Sequence, residues 1–334
     1  MDAAVLQSKF RGSMLGALIG DCCGAPFEGE VLESGDKVTL RKYFDKLEGP
    51  FFKAPAKAYT DDTAMTKCVA KVLIEHKDIP HAEMAGSFMR EYFQDPRRGY
   101  GSAVIQVFQK LRKSKLAEPL VPASEQFNGL GSYGNGAAMR MAPIGLFCHN
   151  KPEKLFDLVK KCSEITHTHY LGIRGAILQA TAVNLCIRTQ VNDFNADSFL
   201  ENVLNKMKDV EKDEEGLGLK VDTSYQMQIN EVKKLLERTP SDDDVLNKLG
   251  HSVAALYSVP TALYIFLKTE NPFRRTLEYA ISLGGDTDTI ASMAGALTGA
   301  LHGDNIIPEN LKKHCEGADE IIAFANDLYK ASEC

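Results

Sequence analysis

Ser282-Leu283-Gly284-Gly285-Asp286-Thr287-Asp288-Thr289-Ile290-Ala291 packs two carboxylates and two hydroxyls into four residues behind a Gly-Gly pair. Downstream, Ile290, Met293, Ala294, Leu297 and Leu301 recur at helical spacing and form one apolar face. Asp286 and Asp288 therefore fall at or just before a helix N-terminus. Aspartate and threonine are favoured there, because they satisfy orphan N–H groups and meet the positive end of the helix dipole. One acid is enough for a cap. The second calls for a further role.

The pattern repeats near the start of the chain, where Tyr59-Thr60-Asp61-Asp62-Thr63 precedes the helical run Ala64, Val69, Val72 and Leu73. If the two helix starts face each other, four carboxylates converge. Like charges in one partly buried site raise each other's pKa, and a divalent cation is the usual remedy. Oxygen-only ligands suit Mg²⁺ or Ca²⁺, whereas zinc would want His or Cys. Two separate caps are the plainer alternative, and the repetition counts against it.

The 334 residues, 44% of them hydrophobic, are enough for one large helical domain with a sizeable core. A net charge of -6 argues against direct DNA binding through a basic face. A nucleotide-like ligand would be held instead by metal, backbone amides and aromatics. The eight cysteines are scattered without a Cys-x-x-Cys pair, and no secretory signal is readable, so free thiols in a reducing compartment are expected. The longest uncharged stretches carry glycine and small polar residues at helical period, so no membrane span is expected. No arginine-rich, acid-poor extension marks a mitochondrial transit peptide.

Residues 5–20 read as a helix with Leu6, Phe10, Met14 and Leu18 on one side, while Gly12, Gly16, Ala17 and Gly20 let another helix approach closely. Gly20 to Glu28 reads as a loop, and Glu28, Glu30 and Glu33 as solvated charges. Residues 31–58 are mixed, with Gly49-Pro50 and Pro55 as breakers. Helices are expected over 82–93 and around 104–111, separated by a turn at 95–101, with a surface connection over 112–126. Residues 205–222 read as a solvated excursion. Residues 225–238 and 241–249 read as helices, the second capped at Ser241-Asp242-Asp243-Asp244. Pro260 marks a helix start within 251–268, and 308–332 is an amphipathic helical region. No useful strand alternation occurs, so the chain reads as one compact all-α domain over 1–334.

Phe127 to Gly136 is the most glycine-dense stretch, with a literal G-x-G-x-x-G at Gly129, Gly131 and Gly134. It fails as a dinucleotide fingerprint, since no hydrophobic strand precedes it and no βαβ alternation surrounds it. A glycine loop entering a helix can still hold an anion on its N–H groups, with Phe127 and Tyr133 as flanking stacking platforms. A tight turn between helices is the plainer alternative. His167 and His169 stand two apart without a helix-spaced partner, which favours capping or hydrogen bonding over metal ligation.

Together these motifs resemble the ADP-ribosylglycohydrolases. The resemblance covers nearly the whole chain and rests on Phe10-Arg11-Gly12 with Gly20-Asp21, Tyr59 through Met65, Gln126 through Arg140, Thr166-His167, and Ser282 through Ile290. It implies an orthogonal helical bundle with two Mg²⁺ ions at helix N-termini. One ion would be held by Thr60, Asp61, Asp62 and Asp288. The other would be held by Glu28, Asp286, Asp288 and Thr289, with Asp288 bridging. Glu28 thereby changes from a solvated charge to a loop glutamate that shields the metals, and to the candidate proton-transfer group. Gly131, Ser132, Tyr133, Gly134 and Asn135 would hold the diphosphate, with Phe127 and Tyr133 near the adenosine and His167 by the distal ribose.

The implied chemistry is cleavage of the C1″ glycosidic bond of ADP-ribose through an oxocarbenium-like state. The run Phe127 to Tyr133 and the loop Glu28 point to the branch acting on serine-linked ADP-ribose, poly(ADP-ribose) and O-acetyl-ADP-ribose, rather than the arginine-linked branch. Expected partners are ADP-ribose and ADP-ribosylated proteins, with no membrane, for a monomer in nucleus, cytoplasm and mitochondrial matrix. A phosphatase of the D-x-D type would place Asp286-Thr287-Asp288 after a buried strand early in an α/β chain, not after Gly-Gly near the C-terminus. A non-enzymatic member would have lost a metal ligand, and every expected ligand position is filled.

Overall fold

Gly12, Gly16, Gly20 and Gly24 recur every four residues along one face of the first helix, Ala3–Gly24. That face lies antiparallel against the helix Thr287–His302. A Cβ on Gly16 would stand 2.1 Å from Gly295 O, one on Gly20 2.3 Å from Ala291 O, and one on Gly24 2.5 Å from Asp288 Cα. The reverse holds as well, since a Cβ on Gly299 would stand 1.9 Å from Gly12 O. Two backbones touch here with no side chain between them, as the small-residue spacing predicts. Both helices are buried along most of their length and form the centre of the molecule.

The remaining elements wrap this pair in the computed structural model, which describes residues 1–30, 32, 34–49, 56–212, 224–269 and 273–333. Tyr170–Arg188 and Ala255–Lys268 pack against Thr287–His302, and Ala318–Ser332 packs against the first helix and against Asp61–His76. Tyr170–Arg188 is long and apolar enough to cross a membrane, but most of it is buried inside the bundle. Among the described residues there is no strand, only isolated bridges between Lys57 and Cys315 and between Gly134 and Ala254. The fold is all-α, as expected. Seven cysteines are described, all free and buried.

Several local expectations are corrected. The first helix does not stop at Gly20. It runs to Gly24, because the glycine face continues, and a 3₁₀ turn Ala25–Phe27 with Pro26 follows. Ser34–Glu48 is helical, burying Leu40, Phe44 and Leu47 on one stripe. Residues 205–211 belong to the helix Ala196–Glu211, whose Glu211 carboxylate accepts from Tyr225 N at 2.8 Å. Pro260 lies inside Ala255–Lys268 rather than at its start. That helix is buried nearly all round, and its packing outweighs the lost hydrogen bond. Pro50, Pro55, Glu33 and the 213–222 part of the excursion lie outside the described residues.

Two capping expectations are met. Ser241 and Asp244 exchange side-chain-to-backbone bonds, both 3.1 Å. His169 Nδ1 accepts from Leu171 N at 3.2 Å.

Candidate metal centre and ligand cleft

Asp21 interrupts the apolar first helix and is fully buried. Its carboxylate accepts from Thr60 N at 3.0 Å, from Thr63 N at 3.0 Å and from Thr63 Oγ1 at 2.6 Å. It thus anchors the start of the Asp61–His76 helix. Thr60 caps that helix, accepting from Asp62 N at 3.3 Å. The carboxylates of Asp61 and Asp62 are not spent on capping.

At the second helix start, Gly284 and Gly285 adopt φ of +71° and +72°. The turn also leaves no room for side chains. A Cβ on Gly284 would meet Glu30 O at 2.6 Å, and one on Gly285 would meet His251 O at 2.3 Å. The Glu28 turn docks on this pair through Gly29 N donating to Gly285 O at 2.9 Å. Asp286 precedes the helix but its side chain makes no capping bond. It accepts from Asn135 Nδ2 at 2.5 Å instead. Thr287 Oγ1 donates to Gly24 O at 2.9 Å, which joins the two central helices at the site.

These elements bring the acids together. Single oxygens of Asp21, Asp62 and Asp288 lie within 4.8 Å of one another, and so do those of Glu28, Asp286 and Asp288. Asp288 belongs to both groups. Burial, then the charges of Asp286, Glu28 and Asp21, push the Asp288 pKa up to about 9. Burial and then Asp21 push Asp61 up to about 8. Burial pushes Asp21 to about 6 against its hydrogen bonds, and raises Asp62 and Asp286 as well. Glu28, exposed on its turn, is raised by partial desolvation and by Asp286. Asp62 Oδ2 is buried with no hydrogen-bond partner among the described residues. An unsatisfied oxygen inside a cluster of mutually repelling carboxylates fits a hard divalent cation.

A cleft of about 200 Å³ opens over this cluster. Glu28, Thr60, Asp61, Asp62, Asp286, Asp288 and Thr289 all line it, as do Ser132, Gly134, Asn135 and His167. Asp61 belongs to neither carboxylate triad. Phe127 and Tyr133 are each 50% exposed, with rings 6.3 Å apart, and neither lines this cleft, although Gln126, Ser132 and Gly134 beside them do. Phe127 and Asn128 both hold positive φ, 51° and 59°, which is uncommon for non-glycine residues. Gly131 is packed against Thr168 rather than facing the cleft. A larger cavity, about 590 Å³ and lined by Lys37, Arg41, Lys268 and Arg275 among others, holds none of the clustered carboxylates. Size therefore does not mark the site.

Sequence reasoning assigned no role to Asp21, although it is the sole charged residue between Arg11 and Glu28. It also missed Gly99, Gly101, Ala103, Val104, Gln126, Gly136, Met139 and Val253, which line the rest of the cleft. The paired glycines around Tyr100 were the available signal for part of that wall.

The profile of the family described as ADP-ribosylglycohydrolase matches residues 2–334. ADP-ribosylhydrolase ARH3 of Mus musculus is 40% identical, over 98% of this chain and 93% of its own length. The Gallus gallus protein of the same name is 39% identical, over 97% of this chain and 93% of its own. A solved structure described as an ADP-ribosylglycohydrolase-related protein complex shares the fold with a TM-score of 0.74, over 98% of this chain and 99% of that one, at 22% identity. Since the family match runs over nearly the whole chain and the relatives of 39–40% identity cover it as fully, the chain belongs to the ADP-ribosylglycohydrolase family.

Proposed function

We propose that this hydrolase removes ADP-ribose from serine side chains and degrades poly(ADP-ribose), cleaving the O-glycosidic bond at C1″ with the help of two Mg²⁺ ions. The observation that carries the reading is the pair of carboxylate triads that share Asp288 and, Asp21 apart, line a cleft with glycines in its wall. The similarity to proteins named ADP-ribosylhydrolase ARH3 supports the choice of branch.

Asp62, Asp288, Thr60 and Asp61 would hold one ion, and Glu28, Asp286, Asp288 and Thr289 the other, with Asp21 behind them. When bound, such ions supply positive charge that fixes neighbouring ribose hydroxyls and offsets charge developing in the transition state. The chain's own groups do the rest. Gly131 N donates to Gln126 O, Gly134 N to Ser132 Oγ and Asn135 N to Val253 O. A diphosphate is then met by the N–H groups of Ser132, Tyr133 and Gly136. The exposed Phe127 and Tyr133 rings, next to the lining residues Gln126, Ser132 and Gly134, offer the adenine a stacking surface. Glu28 stands at the mouth on a turn outside the core, where a carboxyl can exchange a proton with the leaving oxygen or the attacking water.

The reading extends to a single-domain monomer that binds neither DNA nor membrane, acting in nucleus, cytoplasm and mitochondrial matrix. Its test is release of free ADP-ribose from a serine-linked peptide beside an arginine-linked one, each with Mg²⁺ and with EDTA. Mg²⁺-dependent release from serine is expected. Release from arginine alone would move the protein to the other branch, and O-acetyl-ADP-ribose run alongside reports on ester substrates.

A further inference from the structure

Arg140, Thr166 and His167 form a buried chain of side chains in which the position of each proton follows from donor and acceptor chemistry. Arg140 lies in the turn after the glycine loop, with its guanidinium over the Phe88 ring at 4.6 Å. Its Nη2 donates to Thr166 Oγ1 at 2.8 Å and to Cys162 O at 3.0 Å, and its Nη1 donates to Gly136 O at 2.7 Å. Thr166 Oγ1 lies 2.7 Å from His167 Nδ1. Arg140 and Thr166 are both 0% exposed.

A guanidinium can only donate, so the threonine oxygen accepts from Arg140. The hydroxyl proton then has His167 Nδ1 as its acceptor. Were Nδ1 protonated, the threonine oxygen would face two donors and its own proton would be left unpaired in the core. An orphaned buried donor disfavours that tautomer by about tenfold. His167 is neutral, because burial first and the Arg140 charge second bring its pKa down to about 3. A neutral imidazole that accepts at Nδ1 carries its hydrogen on Nε2.

Nε2 is the nitrogen turned toward the glycine loop. A Cβ placed on Gly134 would lie 3.5 Å from it and one on Gly136 3.2 Å. The ring also lines the carboxylate cleft. His167 N donates to Ser163 O at 2.8 Å, and Gln126 Nε2 donates to Thr166 O at 2.6 Å, so the backbone beneath the relay is held on both sides.

We propose that Arg140 and Thr166 are positioning residues that set His167 as a fixed hydrogen-bond donor, through Nε2, to an acceptor oxygen of the ligand in the cleft. The identity of that ligand as ADP-ribose rests on the proposed function. The tautomer does not. The relay makes the cleft selective at this point, because a ligand group that is itself only a donor finds no acceptor on His167. Flipping the tautomer would present a lone pair to the ligand oxygen.

Long-range proton–nitrogen correlation spectra of the ¹⁵N-labelled full chain report which imidazole nitrogen carries hydrogen, with no substrate required. The His167 signals are identified by their loss in His167→Gln. Wild type and Thr166→Ser, which keeps the hydroxyl, are expected to show a protonated Nε2 and a bare Nδ1. In Thr166→Val the Nδ1–H form should rise, and calorimetric affinity for ADP-ribose should fall about tenfold, while Thr166→Ser stays within about twofold of wild type. A protonated Nδ1 in the wild type overturns the proposal. So does a tautomer change in Thr166→Val that leaves affinity intact. If Thr166→Val fails to fold, the wild-type and serine spectra still decide the tautomer. A protonated Nε2 in a protein that binds no ADP-ribose would keep the relay and sink the proposed function.

Discussion

Thr289 Oγ1 donates to Asp62 Oδ1 across 3.2 Å, tying together two helix starts that lie 227 residues apart in the chain. The bond brings the positive ends of two helix dipoles to one point. Those partial charges cannot offset the acids gathered there. Where an oxygen of such a carboxylate lacks a hydrogen-bond partner, activity and stability should therefore respond in opposite directions to loss of that carboxylate.

Asp62→Asn tests this directly. It replaces a carboxyl whose charged form is disfavoured by burial and by its neighbours, and whose Oδ2 has no described partner. In EDTA the variant should be more stable to unfolding than wild type, by about 1–3 kcal/mol. With Mg²⁺ its release of ADP-ribose should drop about 100-fold or more. A variant that lost stability in EDTA would show that Asp62 is satisfied without a cation.

The pH dependence follows from the same acids. Their folded pKa values are raised above the ordinary 3.8, to about 6 for Asp21, 8 for Asp61 and 9 for Asp288. Over that window the folded chain holds protons that the unfolded chain has released. The contribution of these three acids to the stability of the metal-free protein is then fully present below the ordinary aspartate range and is lost as pH rises toward about 9. Thermal melts in EDTA should fall across this interval, and the increment from added Mg²⁺ should grow. A flat profile in EDTA would contradict the clustering.

Asp21 supports the site from behind. Asp21→Ala would orphan the Thr60 and Thr63 N–H groups and the Thr63 hydroxyl, three donors at about 1 kcal/mol or more each. Denaturant unfolding should show a loss of about 3 kcal/mol. Asp21→Asn keeps an acceptor oxygen and should recover part of it. Equal losses in the two variants would mean that packing, not hydrogen bonding, is what Asp21 supplies.

Glu28 should behave differently, since it is exposed on its turn. Glu28→Gln is expected to melt like wild type and to bind ADP-ribose. Its turnover should fall about 10²–10⁴-fold, the usual contribution of a positioned acid or base. Near-normal turnover would remove Glu28 from the chemistry.

What could be read from the residues, and what could not, has a physical pattern. Asp286 and Asp288 behind Gly284-Gly285, and Asp61-Asp62 behind Thr60, were legible because local spacing marks both helix starts. Gly12, Gly16 and Gly20 announced a close partner for the same reason. Asp21 was not, because its donors lie 39 and 42 residues away. Ser34–Glu48 was missed because a narrow buried stripe is masked by a polar face rich in lysine. Pro260 misled because local propensity lost to burial. Glu28, read from its neighbours alone, is an ordinary loop acid. Only the resemblance gave it a role.

The glycine face of the first helix also sets up a test. Gly16→Ala should cost about 1–3 kcal/mol or more, because its methyl meets Gly295 backbone at 2.1 Å. Gly35→Ala, in Ser34–Glu48 with nothing within 4 Å, should be neutral or stabilising by about 0.5–1 kcal/mol. Chemical denaturation of the two variants side by side distinguishes contact from propensity.

Since that contact is backbone against backbone, the pair acts as a lever with the acids at one end. A methyl added at Gly24 would wedge directly beneath Asp288. The same methyl at Gly12, about 18 Å further along the helix, would pry at the opposite end. One weakens cation affinity at once, while the other must tilt a whole helix to do so. The spacing of the carboxylates is thus gauged by hydrogen atoms rather than by rotamers, and it leaves side-chain variation along this face no means of adjusting it.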